Sequence, residues 1–304
     1  MNQNARAAML MTLSMACFAC EDTLLKLLSR GLPVGQILLM AGLLGMLAFG
    51  AWVALGPEGL RLRELLLPAV ILRNLCEAVA GVCFLTALSM GDLSVASAIL
   101  QALPLLMTLG AALFLAEPVG WRRWLSIVVG FVGVLMIVRP GTEGFQIGSV
   151  LALIAVLAIA VRDLVTRRLP VHIGSGMLTA SAFGSMAIAG TVLMVLGGQG
   201  FAQPGPAQSA ITVLAVCFGL AGYITMVIAT RIGEIGAIAP FRYSRLVFAI
   251  ILGVIVFGER PDMWTLSGAA VIAVAGGYTM WRERRMKRQN AARASAGPMQ
   301  PGKL

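Results

Sequence analysis

Residues 16–28 read Ala-Cys-Phe-Ala-Cys-Glu-Asp-Thr-Leu-Leu-Lys-Leu-Leu, and residues 157–169 read Leu-Ala-Ile-Ala-Val-Arg-Asp-Leu-Val-Thr-Arg-Arg-Leu. Aligned, Asp22 meets Asp163 and Lys26 meets Arg167, an offset of 141. Farther along, Gly91-Asp92 and Glu117 meet Gly233-Glu234 and Glu259 at an offset of 142. Trp121 and Gly133 then meet Trp264 and Gly276 after one insertion. The chain is therefore a duplication. Residues 1–140 form the first repeat, 141–285 the second, and 286–304 a basic tail expected to be disordered.

Composition says what each copy is made of. Of the 304 residues, 59% are hydrophobic and 12% charged, with a mean hydropathy of +0.91. A soluble domain averages about 45–50% apolar and about 25% charged residues. Disorder, a secreted disulfide scaffold and a cytosolic enzyme are disfavoured on this ground alone. The five cysteines (Cys17, Cys20, Cys76, Cys83 and Cys217) all fall in apolar runs. Their odd number gives no disulfide framework, and the Cys17–Cys20 spacing has neither a second pair nor a nearby histidine to make a metal site.

Apolar runs long enough to cross about 30 Å of hydrocarbon occur at 7–28, 34–55, 66–89, 94–116, 121–138, 147–168, 173–197, 209–230, 236–257 and 264–281. Turn chemistry separates them, as at Arg30-Gly31-Leu32-Pro33 and Gln203-Pro204-Gly205-Pro206. The first run follows Arg6 as a signal peptide would, but it is too long, and Glu21-Asp22 stands where a cleavage site belongs, so it is expected to be retained. With five spans per copy, the second copy is upside down relative to the first, the architecture of many secondary transporters. The expected fold is an all-α integral membrane protein of ten transmembrane helices in two inverted five-helix repeats.

The net charge of +10 is explained by orientation. Arg6, Arg61, Arg63, Arg122, Arg123, Arg167, Arg168, Arg231 and the tail lie on one side, against Arg30, Arg139 and Arg260 on the other. Both termini are thus expected in the cytoplasm. The run from Arg282 to Arg288 reads as a topology determinant and lipid anchor, with no interleaved aromatics to suggest nucleic acid. Trp52, Trp121, Trp124, Trp264 and Trp281 all fall near span ends, as interfacial anchors do.

The copies end in Leu115-Ala116-Glu117-Pro118 and Phe257-Gly258-Glu259-Arg260-Pro261, each followed by Trp and a Gly-rich helix. Over roughly residues 5–285 this pattern resembles the EamA-type members of the drug/metabolite transporter superfamily, most specifically from Ala239-Pro240-Phe241-Arg242-Tyr243-Ser244 to Glu259. The resemblance implies ten helices, a bacterial-type inner membrane, and movement of small organic solutes such as amino acids, vitamins, nucleotide-like metabolites or drugs. One departure concerns Pro104, whose matching position holds Leu246, while Pro240 lies six residues earlier. The two kinks are therefore not expected to be symmetric.

Glu21, Asp22, Lys26, Arg73, Glu77, Arg162, Asp163, Arg242 and Arg245 lie within the spans. Each costs roughly 2.5–3.5 kcal/mol at a helix centre, so none should face lipid. Asp22 with Lys26 and Asp163 with Arg167 have the acid-first spacing of a helical ion pair. Arg73 and Glu77 have the reverse order. Arg242 and Arg245 share a helix face without an acid; at 1.5 Å per residue they lie about 9 and 13 Å from the span edge. Glu77 lies about 16 Å from the same edge, so Glu77 is expected to pair with Arg245, with Arg242 either facing the cytoplasmic mouth or meeting an anionic substrate group. Asn74, Gln101, Tyr223 and Tyr243 extend the candidate substrate site, and Pro104 and Pro240 kink helices toward it. Glu21, Asp22, Lys26, Arg73, Asp163 and Arg167 are expected in gates. A static network that only fixes helix register is the competing reading of all these charges.

No nucleophile–base arrangement includes the one histidine, His172, and no phosphate-cradling loop ending in Lys occurs. An enzyme is not expected, nor a cofactor or a metal site. The leading expectation is an alternating-access exporter of amino acids or similar metabolites, monomeric or homodimeric, with proton coupling through Glu77 or Asp22. An uptake carrier for a flavin or S-adenosylmethionine is the second reading, and a membrane-embedded sensor or scaffold the third.

Overall fold

The computed structural model describes residues 3–56, 62–114, 120–141, 145–170, 173–233 and 238–295. Glu58, Glu117, His172 and Glu234 lie outside them. The helices are α1 Gln3–Leu28, α2 Val34–Leu55, α3 Pro68–Met90, α4 Leu93–Leu100, α5 Leu103–Phe114 and α6 Trp121–Val138 in the first copy. In the second are α7 Ile147–Thr166, α8 Ser175–Leu196, α9 Pro206–Ile232, α10 Ser244–Phe257 and α11 Met263–Ser295. Short 3₁₀ turns span Leu62–Leu66 and Ala239–Tyr243.

The punctuation follows from residue chemistry. Prolines open α3 and α9 at Pro68 and Pro206, where a missing N–H leaves nothing unpaired. Gly258 ends α10 in the left-handed region at φ 68°, which glycine adopts without a Cβ penalty. Among the described residues, eight helices, counting Leu93–Phe114 and Pro240–Phe257 as one each, are long and apolar enough to cross a membrane, and Trp124–Val138 is a shorter apolar helix. The last helix runs on to Ser295, so the first ten residues of the expected disordered tail are helical here.

The expected fourth span is in fact two helices, broken at Gln101–Ala102, and the expected ninth begins as a 3₁₀ turn that becomes α10 at Ser244. Adding the repeat offset of 142 to residues 101 and 102 gives 243 and 244. The interruption in the first copy therefore aligns with the passage from 3₁₀ to α-helix in the second, even though the prolines do not align. Pro104 sits just inside the first turn of α5, and Pro240 sits in the 3₁₀ turn. Each breaks the ladder on its own side of the same point.

Helix pairing obeys the duplication. α1 packs on α9 as α7 packs on α3, and α1 packs on α10 as α7 packs on α4 and α5. The remaining major pairs, α2 with α8 and α6 with α11, map onto themselves when the halves are exchanged. Glycine makes both of these possible. A Cβ on Gly35 would lie 2.7 Å from the Gly190 carbonyl, and one on Gly133 would lie 2.9 Å from that of Gly268. Small residues let backbones approach where apolar surface gives no preference over lipid.

At the centre lies α4, whose residues Leu93, Ser94, Ala96, Ser97, Ala98 and Ile99 are all buried. It is apolar almost all round, as a fully enclosed helix should be. Two ends of the bundle can be told apart. One gathers Lys26, Gly91, Gln146 and Glu259, while the other gathers Leu65, Val70, Leu169 and Ile173. We call these the Lys26 end and the Ile173 end.

Gly190→Leu should force α2 and α8 apart and destabilise the protein by about 1–3 kcal/mol, as overpacking does. Gly50→Leu, where a Cβ meets nothing within 4 Å, should leave the thermal midpoint in detergent unchanged.

Candidate functional site

Polar groups form three layers along the bundle. At the Lys26 end, Lys26 Nζ donates to Glu259 Oε1 at 2.7 Å and to the Gly91 carbonyl at 2.6 Å. Glu259 also accepts from the Leu93 N–H at 2.7 Å, the Ser94 N–H at 3.0 Å and the Ser94 hydroxyl at 2.6 Å. A carboxylate from the second copy thus caps the N-terminus of α4 in the first, where unpaired amides and the helix dipole favour negative charge. Asp92, at the N-cap itself, makes no such bond. A small cavity of about 250 Å³, lined by Lys26, Ser29, Arg30, Asp92 and Gln146 among others, lies against this lock. Arg139 bonds Asp262 at the same end.

In the middle layer, Arg245 of α10 grips Asp22 of α1, with Nη2 at 2.7 and 3.0 Å from the two carboxylate oxygens. The Arg245 guanidinium lies 5.3 Å from the Phe18 ring centroid. The two helix breaks meet here: the Gln101 amide donates to the Arg242 carbonyl at 3.4 Å. The Arg242 side chain is exposed and makes no hydrogen bond or ion pair to the described residues. Tyr243 points its hydroxyl, unpartnered among the described residues, into the notch left by Gly276.

Toward the Ile173 end, Arg162 of α7 bonds Glu77 of α3 at 2.8 Å and Asp163 beside it at 2.8 Å. Arg73 donates to the Thr166 hydroxyl at 3.2 Å, the Asn74 side-chain oxygen at 3.1 Å and the Leu178 carbonyl at 3.0 Å. Ser181 also donates to Asn74, and Thr179 donates to the Tyr223 hydroxyl at 3.3 Å. Tyr223 meets the Phe49 ring edge-on.

Several sequence expectations are corrected by this geometry. Glu77 pairs with Arg162 and not with Arg245, because α3 packs on α7 while α10 packs on α1. The intrahelical pairs Asp22–Lys26, Asp163–Arg167 and Arg73–Glu77 do not form. Asp22 goes to Arg245, Lys26 to Glu259 and Asp163 to Arg162. Arg73 is held by neutral oxygens, and Arg167 is exposed without a partner among the described residues. Glu259 and Ser94 were missed as site residues. The signal was present in the sequence: Glu259 lies in the motif that closes the second copy, and Ser94 stands at a helix start.

The ion pairs between distant helices share one property. Lys26–Glu259, Arg139–Asp262, Glu77–Arg162 and Asp22–Arg245 each join a residue of the first copy to one of the second. The Asn74–Ser181, Arg73–Thr166 and Gln101–Arg242 bonds do the same. Yet Arg162, Glu77 and Asp163 retain side-chain exposures of 24, 17 and 33%. These charges are therefore not sealed completely within the apolar bundle.

A two-fold helical bundle with broken helices meeting at a charged interior defines the class: a membrane carrier built from repeats. The chain belongs to the EamA-like transporter family, whose model matches residues 5–139 and again 146–280. It is similar to the S-adenosylmethionine uptake transporter of Rickettsia felis, at 25% identity over 65% of this chain and 66% of that one. The chain thus spans about two thirds of that relative's length. It is similar to the riboflavin transporter of Rhizobium johnstonii at 27% identity over 64% of each chain. A pseudopaline exporter of Pseudomonas aeruginosa is 25% identical over 88% of this chain and 93% of that one. A solved crystal structure shares the fold, with a TM-score of 0.61 over 93% of this chain and 99% of that one, at 17% identity.

Burial alone would raise the Glu259 pKa, but the bonds from Lys26, Ser94 and Leu93 outweigh it and hold the carboxyl below the usual glutamate range. A depressed folded-state pKa means the lock contributes stability above the unfolded value, about 4.3, and loses it as pH falls through the folded one. Glu259→Gln at neutral pH should destabilise by about 3–5 kcal/mol, the cost of stranding one buried partner. The variant should also lose the wild type's acid-dependent decline, measured by thermal unfolding across pH 3–7.

Proposed function

We propose that this chain is a secondary carrier that moves a small zwitterionic metabolite across the membrane by alternating access. Ten spans in two inverted repeats, both termini in the cytoplasm of a bacterial-type inner membrane, complete the reading. The observation that carries it is the set of partly accessible ion pairs between the copies. Fixed scaffolds gain nothing from ions at a movable interface that apolar packing would fill as well, whereas two rocking halves need contacts that break and re-form.

Arg242 is the substrate's anion partner. It stands in the 3₁₀ turn that leads into α10, the residue is exposed, and the neighbouring Arg245 is already committed to Asp22. A carboxylate-bearing solute would complete its charge with a bidentate bond. Gln101, Tyr243 and Pro240 shape the junction around it. Asn74, Tyr223 and Arg73 form a neutral-to-basic wall nearer the Ile173 end. Lys26 with Glu259 is the gate of the opposite end.

Amino acids and amino-acid conjugates fit this chemistry. S-adenosylmethionine, named for several relatives, carries an α-amino and an α-carboxylate group and belongs to the same class. Direction is set by the gradients, since a reversible two-state carrier binds from either face.

Counterflow into proteoliposomes tests the reading. Labelled amino acids and S-adenosylmethionine are offered to vesicles preloaded with the unlabelled solute. At least one should move saturably, and Arg242→Ala should raise its KM by about tenfold or more, the loss of a charge-assisted bond. A protein that moves and binds none of them would instead be the sensor or scaffold.

A further inference from the structure

The internal two-fold permits a residue-by-residue comparison of its two equivalent interfaces. Gly148 of α7 lies 3.6 Å from the Gly91 amide, measured from the position of an added Cβ. The equivalent residues are Ala7 and Gly233, offset by 141 and 142, and they also touch. The same offsets carry Arg162 onto Glu21 and Glu77 onto Gly219. In one interface Arg162 bonds Glu77 at 2.8 Å. In the other, Glu21 lies against Gly219, with both carboxylate oxygens at 2.5 and 3.1 Å from where a Cβ would stand.

One interface therefore holds a complete ion pair, and its twin holds an acid whose partner has been reduced to a hydrogen atom. Glu21 makes no hydrogen bond or ion pair among the described residues and is only partly exposed. The charged groups nearest it are Asp22 on α1 and Arg245 on α10, which are bonded to each other. The facing stretch of α9 offers glycine. An unpaired acid within an apolar bundle is expensive unless a cation reaches it.

Building on the carrier reading, we propose that Glu21, seated against Gly219, is the subsite for the positive group of the cargo, an organic ammonium or sulfonium. Such a group takes the place that the guanidinium fills in the other interface. Arg242 and Glu21 then flank the Asp22–Arg245 bridge as the two poles for a zwitterion. Gly219 is needed because any side chain there would push the carboxylate away.

Dicyclohexylcarbodiimide, which adds to unpaired carboxyls in apolar surroundings, supplies a test that needs no transport. Wild-type protein in lipid nanodiscs is treated with it and the adduct mapped by peptide mass spectrometry. The adduct should fall on Glu21 and disappear in Glu21→Gln. S-adenosylmethionine at ten times its Kd should slow labelling roughly tenfold, while 5′-methylthioadenosine at the same concentration, which lacks both the ammonium and the sulfonium, should slow it markedly less. Labelling of Glu77, Asp22 or Asp163 with Glu21 untouched would overturn the proposal. So would labelling of Glu21 that neither solute slows, or that both slow alike. Should counterflow fail while Glu21 is still protected, the carrier reading falls and the cation subsite stands. Should counterflow of S-adenosylmethionine proceed in Glu21→Gln with an unchanged KM, the subsite falls and the carrier stands.

Discussion

Hydrocarbon does not solvate charge, and that constraint organises this molecule. Each ionised group in a span is worth several kcal/mol of destabilisation unless it finds a partner. Here the partners come from the other copy. Asp22 reaches Arg245, Glu77 reaches Arg162, and Lys26 reaches Glu259. The interface between copies is consequently the polar seam of an otherwise apolar bundle, and the helices that must pass closest are spaced by glycine. Motion, if confined to one surface, is confined to this one, since sliding elsewhere would trade apolar contact for lipid at little gain.

The two copies share a backbone plan but not a chemistry. The fourth helix of the first copy is interrupted at residues 101–102, and the aligned residues 243–244 of the second mark the passage from 3₁₀ to α-helix. The first break carries Gln101, the second Arg242 and Tyr243, so one break supplies an amide and the other a charge. Likewise, the Glu77–Arg162 pair has Gly219–Glu21 as its counterpart. A symmetric fold allows the halves to exchange shapes. On the carrier reading proposed above, asymmetric side chains at matched positions would favour one orientation of a charged solute.

The repeat and eight apolar spans among the described residues were legible in the sequence because each is a local or periodic signal. The charge partners were not. Depth along a helix can be counted at about 1.5 Å per residue, and the count put Glu77 and Arg245 only a few ångströms apart. Depth says nothing about which helices are neighbours, and α3 faces α7. Local i, i+4 spacing was equally misleading for Asp22 and Lys26, whose side chains leave their own helix for stronger partners across the seam. Glu259 looked like punctuation after a helix; only the packing of α10 against α4 turns it into a cap. Arg242 stood out because a base on a helix without an acid needs no partner helix to be conspicuous.

The central claim is that the copies rock about this seam, opening one end as the other closes. Pulsed electron–electron resonance on spin labels measures it directly, in lipid and in a background with the native cysteines replaced. One label pair sits at Arg30 and Arg260 on the Lys26 end, the other at Phe114 and Arg168 on the Ile173 end. Breaking the lock with Glu259→Gln should lengthen the first distance while the second shortens. Two distances that stay fixed, or that lengthen together, would contradict it.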